Sequence, residues 1–226
     1  MTRTGSGPTI LAGMTPRELD HLMEFASVIE VPARKVLLNE GMRPTHLHIV
    51  LEGTAELFVR RGRKESSLAL VKRDMPFVLA AVVKDAPYLM SARTVSDARI
   101  LCLSANVFRS SMRRDSGLAL ATATAMSDAY RSVVRQFRIH RLHCAQTRLA
   151  HYLIGLQHKS PGADTVTLEV SKRRLASLLG IKPESLSRVF AGLSHYGVQV
   201  DGNNITIADF RALEDLSQYD YDLDNE

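Results

Sequence analysis

Four polar side chains, Glu184, Ser185, Ser187 and Arg188, lie close together in the segment from Pro183 to Leu193. The apolar residues of this segment recur with the period of a helix: they are Leu186, Val189, Phe190 and Leu193. A helix that buries this apolar stripe turns the four polar side chains outward on its N-terminal half. In a helix-turn-helix, that half of the second helix contacts base edges in the major groove of DNA. The segment therefore predicts a DNA-reading helix.

A shorter helix and a tight turn precede this segment. Apolar residues at helical spacing between Lys172 and Leu179 predict the first helix. Gly180 ends it, because glycine readily adopts the left-handed conformation found at helix ends, and Pro183 suits the first turn of the next helix. The spacing of the motif is matched at five positions: Ala176, Gly180, Ile181, Leu186 and Val189. An ordinary helical hairpin is the alternative.

Strand signals flank the two helices. The stretch from Thr165 to Val170 alternates in polarity, as a half-buried strand does. After the second helix, the stretches 198–200 and 205–207 are joined by a turn that contains Asp201-Gly202, a strong hairpin signal. A helical pair followed by a hairpin is a winged helix-turn-helix. We expect this domain over residues 141–226, with an acidic tail at its end.

The N-terminal half carries short strand patterns between Val28 and Leu103, separated by turn signals such as Glu40-Gly41. These patterns indicate a β-barrel or jelly roll over residues 10–110, after a disordered N-terminus over residues 1–9. A first helix is expected over residues 10–26, with Thr15 as its cap and Glu18 completing a capping box. The stretch from Met75 to Arg93 is expected to hold a short helix and to wall an interior pocket.

Residues 111–140 are expected to form one long helix with a coiled-coil-like seam. Its members fall at alternating spacings of three and four residues: Ala119, Thr122, Met126, Ala129, Val133, Gln136 and His140. We expect this seam to form a homodimer, because two reading helices can then contact half-sites one DNA turn apart. Packing of the stripe on the chain's own barrel is the open alternative. The whole chain is thus expected to be of the α+β class.

Charge and composition narrow the function. The formal net charge is +5, but residues 209–226 carry a charge of −6, which leaves +11 on the rest of the chain. A basic body favours nucleic acid as a partner. No apolar run approaches the ~18 residues that a membrane span requires. Cys102 and Cys144 match no metal or disulfide spacing, which is typical of reduced thiols in a cytoplasmic protein.

These features together resemble the CRP/FNR family of transcription regulators over almost the whole chain. The markers are Glu40-Gly41, the turn from Leu51 to Gly53, the stretch from Met126 to His140, and the two-helix segment from Ser171 to Phe190. The resemblance implies a cyclic-nucleotide-binding-like β-barrel (jelly roll), a long dimerisation helix and a C-terminal winged helix-turn-helix. It also implies double-stranded DNA and RNA polymerase as partners.

The resemblance assigns roles to the polar residues of the reading helix, which is similar to that of FNR-type members with TTGAT half-sites. Glu184 would accept a hydrogen bond from a cytosine amino group, and Arg188 would bind the O6 and N7 atoms of a guanine. Ser187 would contact a neighbouring base. Weaker candidates for phosphate contacts, which position the protein without specifying sequence, are Lys172, Arg173, Arg174 and Ser185.

The sensor half departs from the cyclic-nucleotide binders of the family. Their ribose-binding Glu corresponds to Ala80 and their phosphate-binding Arg to Met90, and only Ser91 matches. We therefore expect no binding of cyclic AMP, and with two cysteines no iron–sulfur cluster. The stretch from Phe77 to Arg93 looks like the NnrR branch, regulators of nitric oxide and denitrification genes. The candidate effector pocket is apolar: Phe77, Leu79, Tyr88, Leu89 and Met90.

The effector itself stays open at this stage. Nitric oxide or a related signal is expected, and an apolar pocket beside a histidine could hold haem, although no metal ligand is assigned. One alternative is the same regulator with no effector, in which the barrel is only a dimer scaffold. An enzyme with a barrel-bound substrate is a remote alternative, because the sequence shows no nucleophile–base pair, no Gly-rich phosphate loop and no metal-spaced cluster.

Overall fold

A computed structural model describes residues 8–62, 64–158 and 164–217. The chain divides into two compact units, residues 1–130 and residues 131–226. Two expectations concern residues outside the described ranges: the start of the N-terminus before residue 8, and the end of the acidic tail after residue 217.

The first unit is built on two antiparallel four-stranded sheets. One has the strand order β1-β8-β3-β6 and the other β2-β7-β4-β5. Their bounds are β1 (Ala26–Val31), β2 (Val36–Leu38), β3 (His46–Glu52), β4 (Ala55–Arg61), β5 (Lys64–Val71), β6 (Pro76–Phe77), β7 (Ser91–Thr94) and β8 (Ala98–Ser104). The two sheets confirm the jelly roll that the strand patterns predicted.

Helices cover one face of the first sheet. They are α1 (Pro16–Glu24), α2 (Leu79–Lys84), α3 (Ala105–Arg114) and the long α4, which spans Ser116–Leu142 and enters the second unit. The period of two in β3 divides its side chains between two cores. Leu47 and Ile49 pack in the core that includes α1, α3 and α4, while Val50 packs in the core between the two sheets.

Two helix predictions were wrong in detail. Residues 9–11 form a short 3₁₀ turn, and Ala26 already belongs to β1, so the first helix is only nine residues long. Thr15 occupies the cap position of α1, but its side chain donates to the Asp115 carboxylate at 2.8 Å instead of capping the helix. That carboxylate also accepts from the Leu118 N–H, at 2.8 Å. Asp115 thus separates α3 from α4, where one helix over residues 111–140 was expected.

The second unit contains helices and one small sheet. Its helices are α5 (Ala145–His158), α6 (Lys172–Leu178), α7 (Pro183–Leu193) and α8 (Phe210–Ser217). Its strands are β9 (Thr165–Thr167), β10 (Val198–Asp201) and β11 (Asn204–Ile207), in the order β10-β11-β9. Gly202 has a φ of 59° in the turn between β10 and β11. The arrangement confirms the winged helix-turn-helix that the sequence predicted.

Candidate DNA-binding site and sensor interior

The turn between α6 and α7 is formed by local backbone hydrogen bonds. Gly180 has a φ of 65°, a left-handed conformation that glycine adopts without steric strain. The Ile181 N–H donates to the Ala176 carbonyl at 2.9 Å and closes the end of α6. Lys182 is the extended residue before α7, and Pro183 occupies its first turn. The turn therefore follows from the Gly and Pro positions in the sequence.

Buried apolar residues hold the two helices together. Leu175 and Ala176 on α6 are fully buried. On α7, at most 6% of the surface of each apolar residue is exposed at Leu186, Phe190 and Leu193. The small Ala176 side chain permits close approach of the helices. Burial of this stripe confirms the helical spacing from which the DNA-reading helix was predicted.

The polar side chains of α7 lie on its opposite face. Glu184, Ser187 and Arg188 are exposed, and Ser185 is half-buried. Their spacing of three and four residues places Glu184, Ser187 and Arg188 on one face of the helix. Within the described parts of the chain, none of these three side chains forms a hydrogen bond or an ion pair. Their donors and acceptors are therefore available to a ligand.

The basic residues of α6 are not equivalent. Lys172 and Arg173 are exposed in its first turn, whereas Arg174 is half-buried and already interacts within the chain. The backbone N–H of Arg174 donates to the Ser171 hydroxyl at 3.4 Å, and Ser171 thereby caps the start of α6. Lys172 and Arg173 are thus the more available candidates for phosphate contact.

A groove of about 350 Å³ adjoins the polar face of α7, and sequence reasoning did not foresee it. Lys172 and Ser187 both line it, so a predicted phosphate contact and a predicted base contact share one surface. The other lining residues come from α7, the residue after it and β10: Pro183, Leu186, Phe190, Ala191, Ser194, Val198 and Val200. The one indication of this groove in the sequence was Val200, an apolar residue in the strand pattern 198–200. In the structure its side chain is exposed.

The predicted seam of α4 is partly buried inside its own unit. Thr122 is 1% exposed, and Met126 packs against the core that α1 and α3 share. Ala119 is half-buried, whereas Ala129, Val133, Gln136 and His140 are exposed. Because Thr122 and Met126 face inward, the seam as predicted cannot lie along a partner helix over its whole length.

A different line of α4 exposes large apolar side chains. Tyr130 is 71% exposed and Phe137 is 61% exposed, and Leu120 and Val134 are exposed as well. These positions follow the predicted seam by one residue: Leu120, Ala123, Ser127, Tyr130, Val134 and Phe137. They keep the alternating spacing of a coiled coil, and they leave the inward side of α4 to its own core.

The five predicted pocket residues do not form one pocket. Phe77 and Tyr88 are buried together between the two sheets. Leu79 is buried in the other core, against the helices, and Met90 is half-buried. Leu89 is 80% exposed, so its assignment to the pocket was wrong. The loop explains this, because Gly41 and Met42 pair with the backbone of Tyr88 at 2.8 Å and fix Tyr88 inward and Leu89 outward.

The arginine nearest to Met90 in sequence does not face the interior. Arg93 lies opposite Glu56 on β4, and the neighbouring residues of both strands, Leu57 and Ala92, belong to the interior core. Alternation therefore places Arg93 and Glu56 on the outer face of the sheet. The Arg93 guanidinium donates to Glu56 at 2.7 Å and to Glu65 at 2.9 Å. The hydrogen bonds from Arg60 and Arg93 lower the pKa of Glu65.

A histidine and a cysteine lie side by side in the interior. His48 on β3 is directly opposite both Phe77 on β6 and Cys102 on β8, and its ring stacks on Phe77 with 5.2 Å between centroids. Its buried Nδ1 has no hydrogen-bond partner among the described residues. Burial, with a smaller effect of His46, lowers the pKa of His48 to about 4. Burial likewise raises the pKa of the Cys102 thiol.

The described residues offer neither a metal site nor a membrane-spanning helix. No group of three or more His, Cys, Asp or Glu side chains could hold a metal ion. Within the same residues, no helix has both the length and the apolar character needed to cross a membrane. Cys102 is a buried free thiol and Cys144 is an exposed one.

Comparison with known proteins identifies both units. Residues 28–115 match the cyclic nucleotide-binding domain family, and residues 147–216 match the Crp-like helix-turn-helix domain family. The "Cyclic AMP receptor protein" of Thermus thermophilus is 23% identical over 213 residues, which cover 93% of this chain and 97% of that protein.

Solved structures agree on the fold. FixK2 from Bradyrhizobium japonicum superposes with a TM-score of 0.74 at 16% identity, covering 86% of this chain and 98% of that one. A CooA mutant from Carboxydothermus hydrogenoformans superposes with a TM-score of 0.76 at 14% identity, covering 95% and 97%. These likenesses concern the fold alone, whereas the two family matches, with the exposed polar face of α7, lead to one conclusion. The chain belongs to the CRP/FNR family of DNA-binding transcription regulators.

Proposed function

We propose that this regulator is a homodimer that binds a palindromic FNR-like site with TTGAT half-sites and responds to nitric oxide or a related signal. The observation that carries the DNA part is the polar face of α7, where Glu184, Ser187 and Arg188 are exposed and make no bond to another described residue. Side chains held on a packed helix with free donors and acceptors are suited to reading base edges.

The chemistry of the three side chains fits the proposed half-site. The Arg188 guanidinium can donate two hydrogen bonds to the O6 and N7 atoms of one guanine, and the Glu184 carboxylate can accept from a cytosine amino group. Ser187 can donate to or accept from a neighbouring base. Lys172 and Arg173 are the favoured phosphate contacts, and Ser185 and Arg174 contribute less because they are half-buried.

The exposed apolar line of α4 supports the homodimer. Leu120, Tyr130, Val134 and Phe137 are exposed large apolar side chains at coiled-coil spacing. A second copy of the same helix would remove these side chains from water, and exposed apolar patches of this kind mark association surfaces. The proposed dimer seam is therefore the exposed line from Leu120 to Phe137, one residue later along α4 than the predicted seam.

The signal is proposed from the resemblance to the NnrR branch and from the uncharged interior. Haem was considered as the sensor group, and His48 offers an imidazole nitrogen of the right chemistry. However, Val50, Phe77, Tyr88 and Ile100 fill the space between the sheets with at most a few per cent exposure. The side chains as packed do not fit a porphyrin, so no step of the mechanism is assigned to haem.

The packed interior favours a second candidate function. In this alternative, the protein is the same DNA-binding regulator, but the first unit only supports the dimer and has no effector. The observation behind it is that the candidate pocket residues are distributed over two cores. Activity would then follow the amount of protein in the cell.

A binding experiment tests the proposed function. Fluorescence anisotropy with a labelled TTGAT palindrome should show salt-sensitive binding that a scrambled duplex of equal length competes for poorly. Equal affinity for both duplexes would contradict the proposed site. Repeating the titration anaerobically with and without nitric oxide, and recording the visible absorption spectrum, separates the two candidates. An effect of nitric oxide on affinity supports the sensor, and its absence supports the scaffold.

A further inference from the structure

The first turn of α5 carries two side chains that bond to the ends of both helices of the DNA-reading motif. The Arg148 Nε donates to the Leu179 carbonyl at 2.9 Å. The Gln146 Nε2 donates to the Gly192 carbonyl at 2.7 Å. Leu179 is the residue after the last turn of α6, and Gly192 is in the last turn of α7. One turn of α5 is thus connected to the C-terminal ends of α6 and α7.

These carbonyls are strong acceptors for a general reason. The last four carbonyls of a helix have no partner inside that helix, and they carry the negative end of the helix dipole. A guanidinium is well suited to such a position, because it is permanently charged and its N–H groups point in fixed directions. The bonds of Arg148 and Gln146 therefore fix the helix ends in orientation as well as in distance.

Arg148 makes a third bond, which reaches the end of α4. Its second donor nitrogen donates to the His143 carbonyl at 2.7 Å. His143 directly follows Leu142, the last residue of α4, and its N–H still donates to the Ile139 carbonyl at 3.1 Å. A single planar guanidinium thus joins the C-terminal end of α4 to the C-terminal end of α6.

Two glycines show how closely these elements fit. A Cβ on Gly192 would lie 3.2 Å from the Gln146 Nε2, and a Cβ on Gly180 would lie 3.1 Å from the His140 ring. Gly180 is the turn between α6 and α7, and His140 is in the last turn of α4. A side chain at either position would require Gln146 or His140 to shift by a few tenths of an ångström, so the hydrogen bonds of Arg148 and Gln146 act in a closely packed setting.

We propose that Arg148 is a positioning residue that sets the angle between the end of α4 and the DNA-reading motif, with Gln146 fixing the end of α7. The inference rests on the proposed function, because in a homodimer joined along α4 this angle determines where the two α7 helices meet the DNA. Arg148 then determines which spacing between half-sites the dimer accepts, while Glu184, Ser187 and Arg188 determine which bases each half-site contains.

The test uses the full-length protein and a series of palindromes in which the spacer between the half-sites is shortened or lengthened by single base pairs, together with a duplex that holds one half-site. Arg148→Met keeps the length of the side chain and removes its donors. Arg211→Met on the exposed surface of α8 removes the same charge from the same unit and is the matched control. Affinities are measured by fluorescence anisotropy at one salt concentration.

We expect the unmodified protein and Arg211→Met to prefer one spacing. Arg148→Met should lower the ratio of affinities between the best and the next spacing by about tenfold, the effect of losing a hydrogen bond from a charged donor. Its affinity for the single half-site should stay within about twofold, since the polar face of α7 is unchanged. Arg148→Lys, which keeps the charge but not the planar fork, should be intermediate, and it carries the test if the Met variant does not fold.

Two results would overturn the inference separately from the proposed function. An unchanged spacing ratio in Arg148→Met and Arg148→Lys would show that Arg148 does not set the angle. An equal loss of affinity for every duplex, including the single half-site, would show that Arg148 only stabilises the fold. Absence of sequence-specific binding by the unmodified protein would instead contradict the proposed function, and the inference with it.

Discussion

Arg188 has a backbone that is fixed by packing and a guanidinium that is available to bind a ligand. Its backbone is held by the buried neighbours Leu186 and Phe190, while its guanidinium is exposed and makes no bond to another described side chain. A planar group with five N–H donors can bind the edge of one guanine in two places. Substitution of Arg188 should therefore change the stability of the fold little, so any change in DNA binding reports on base reading.

Arg188→Ala should weaken binding to the TTGAT palindrome by about 1–3 kcal/mol per contacted base pair and relax the preference at that pair alone. The fold should be unaffected, because the side chain supports no other described residue. Anisotropy titrations against duplexes with each single base-pair change measure both effects. Arg211→Ala is the control for the loss of one positive charge. An unchanged preference at every position would count against Arg188 as a base-reading residue.

His48 makes stability depend on pH. Its pKa is lowered from 6.5 to about 4, so between these values the unfolded chain binds a proton that the folded chain does not. Stability therefore rises with pH across this window, by up to about 1.4 kcal/mol per pH unit for one proton, and falls as the solution is acidified. His48→Phe preserves an aromatic ring beside Phe77 and removes this proton.

Urea denaturation between pH 4 and pH 6.5 measures the effect of His48. The unmodified protein should lose stability on acidification more steeply than His48→Phe does, and His195→Phe at an exposed position after α7 controls for the loss of an imidazole elsewhere. If the two curves are parallel through this range, the interior position of His48 has no consequence for the acid stability of the protein.

At the scale of elements, α4 has two different sides. Leu118, Ala121, Ala125 and Met126 pack against the core of the first unit. The apolar line from Leu120 to Phe137 points away from that core and is exposed. One helix can serve both contacts because residues three and four apart share a face while adjacent residues differ by about 100°.

Phe137→Glu should therefore shift the protein from dimer to monomer, because it places a charge where the partner helix is proposed to pack. Gln136→Glu adds the same charge one position away, and we expect it to remain a dimer. Sedimentation velocity at micromolar concentration distinguishes the two states. A dimer that survives Phe137→Glu, or one that Gln136→Glu also dissociates, would be inconsistent with the proposed seam.

At the scale of the whole molecule, the first unit has the fold of a cyclic-nucleotide-binding domain, but the two positions expected to bind such a ligand carry uncharged side chains. Ala80 and Met90 are expected from the resemblance at the ribose and phosphate positions, and Arg93 is held on the outer face by Glu56 and Glu65. The Ser91 hydroxyl, the remaining match, already accepts from the Glu40 N–H at 3.0 Å. A buried phosphate would thus lack its guanidinium partner.

We expect no heat of binding when cyclic AMP at micromolar concentration is titrated into the protein. The Thermus thermophilus cyclic AMP receptor, a relative over nearly the full length, is a suitable positive control under identical conditions. Saturable binding by this chain would mean that other residues replace the missing Glu and Arg, and that the interior opens to admit the nucleotide.

The sequence by itself determined the features that depend on local signals. Gly180 and Pro183 define the turn between α6 and α7, and the apolar stripe from Leu186 to Leu193 defines the polar face opposite to it. Such signals act within a few residues, through allowed backbone angles and the helical period. The same holds for the strands of the jelly roll and for the hairpin turn at Asp201-Gly202.

Only the tertiary structure decided which side of each element meets which neighbour. Thr122 lies on the predicted seam, and Phe137 lies on the line that follows it by one residue. Packing within the first unit leaves Thr122 1% exposed, whereas Phe137 is 61% exposed. Leu89 is as apolar as Tyr88, yet a contact with a loop about 47 residues earlier in the chain exposes one and buries the other. Arg148 carries no local signal, because its partners at His143 and Leu179 lie on two other segments of the chain. Contacts between distant segments depend on the three-dimensional arrangement, which a local pattern does not contain.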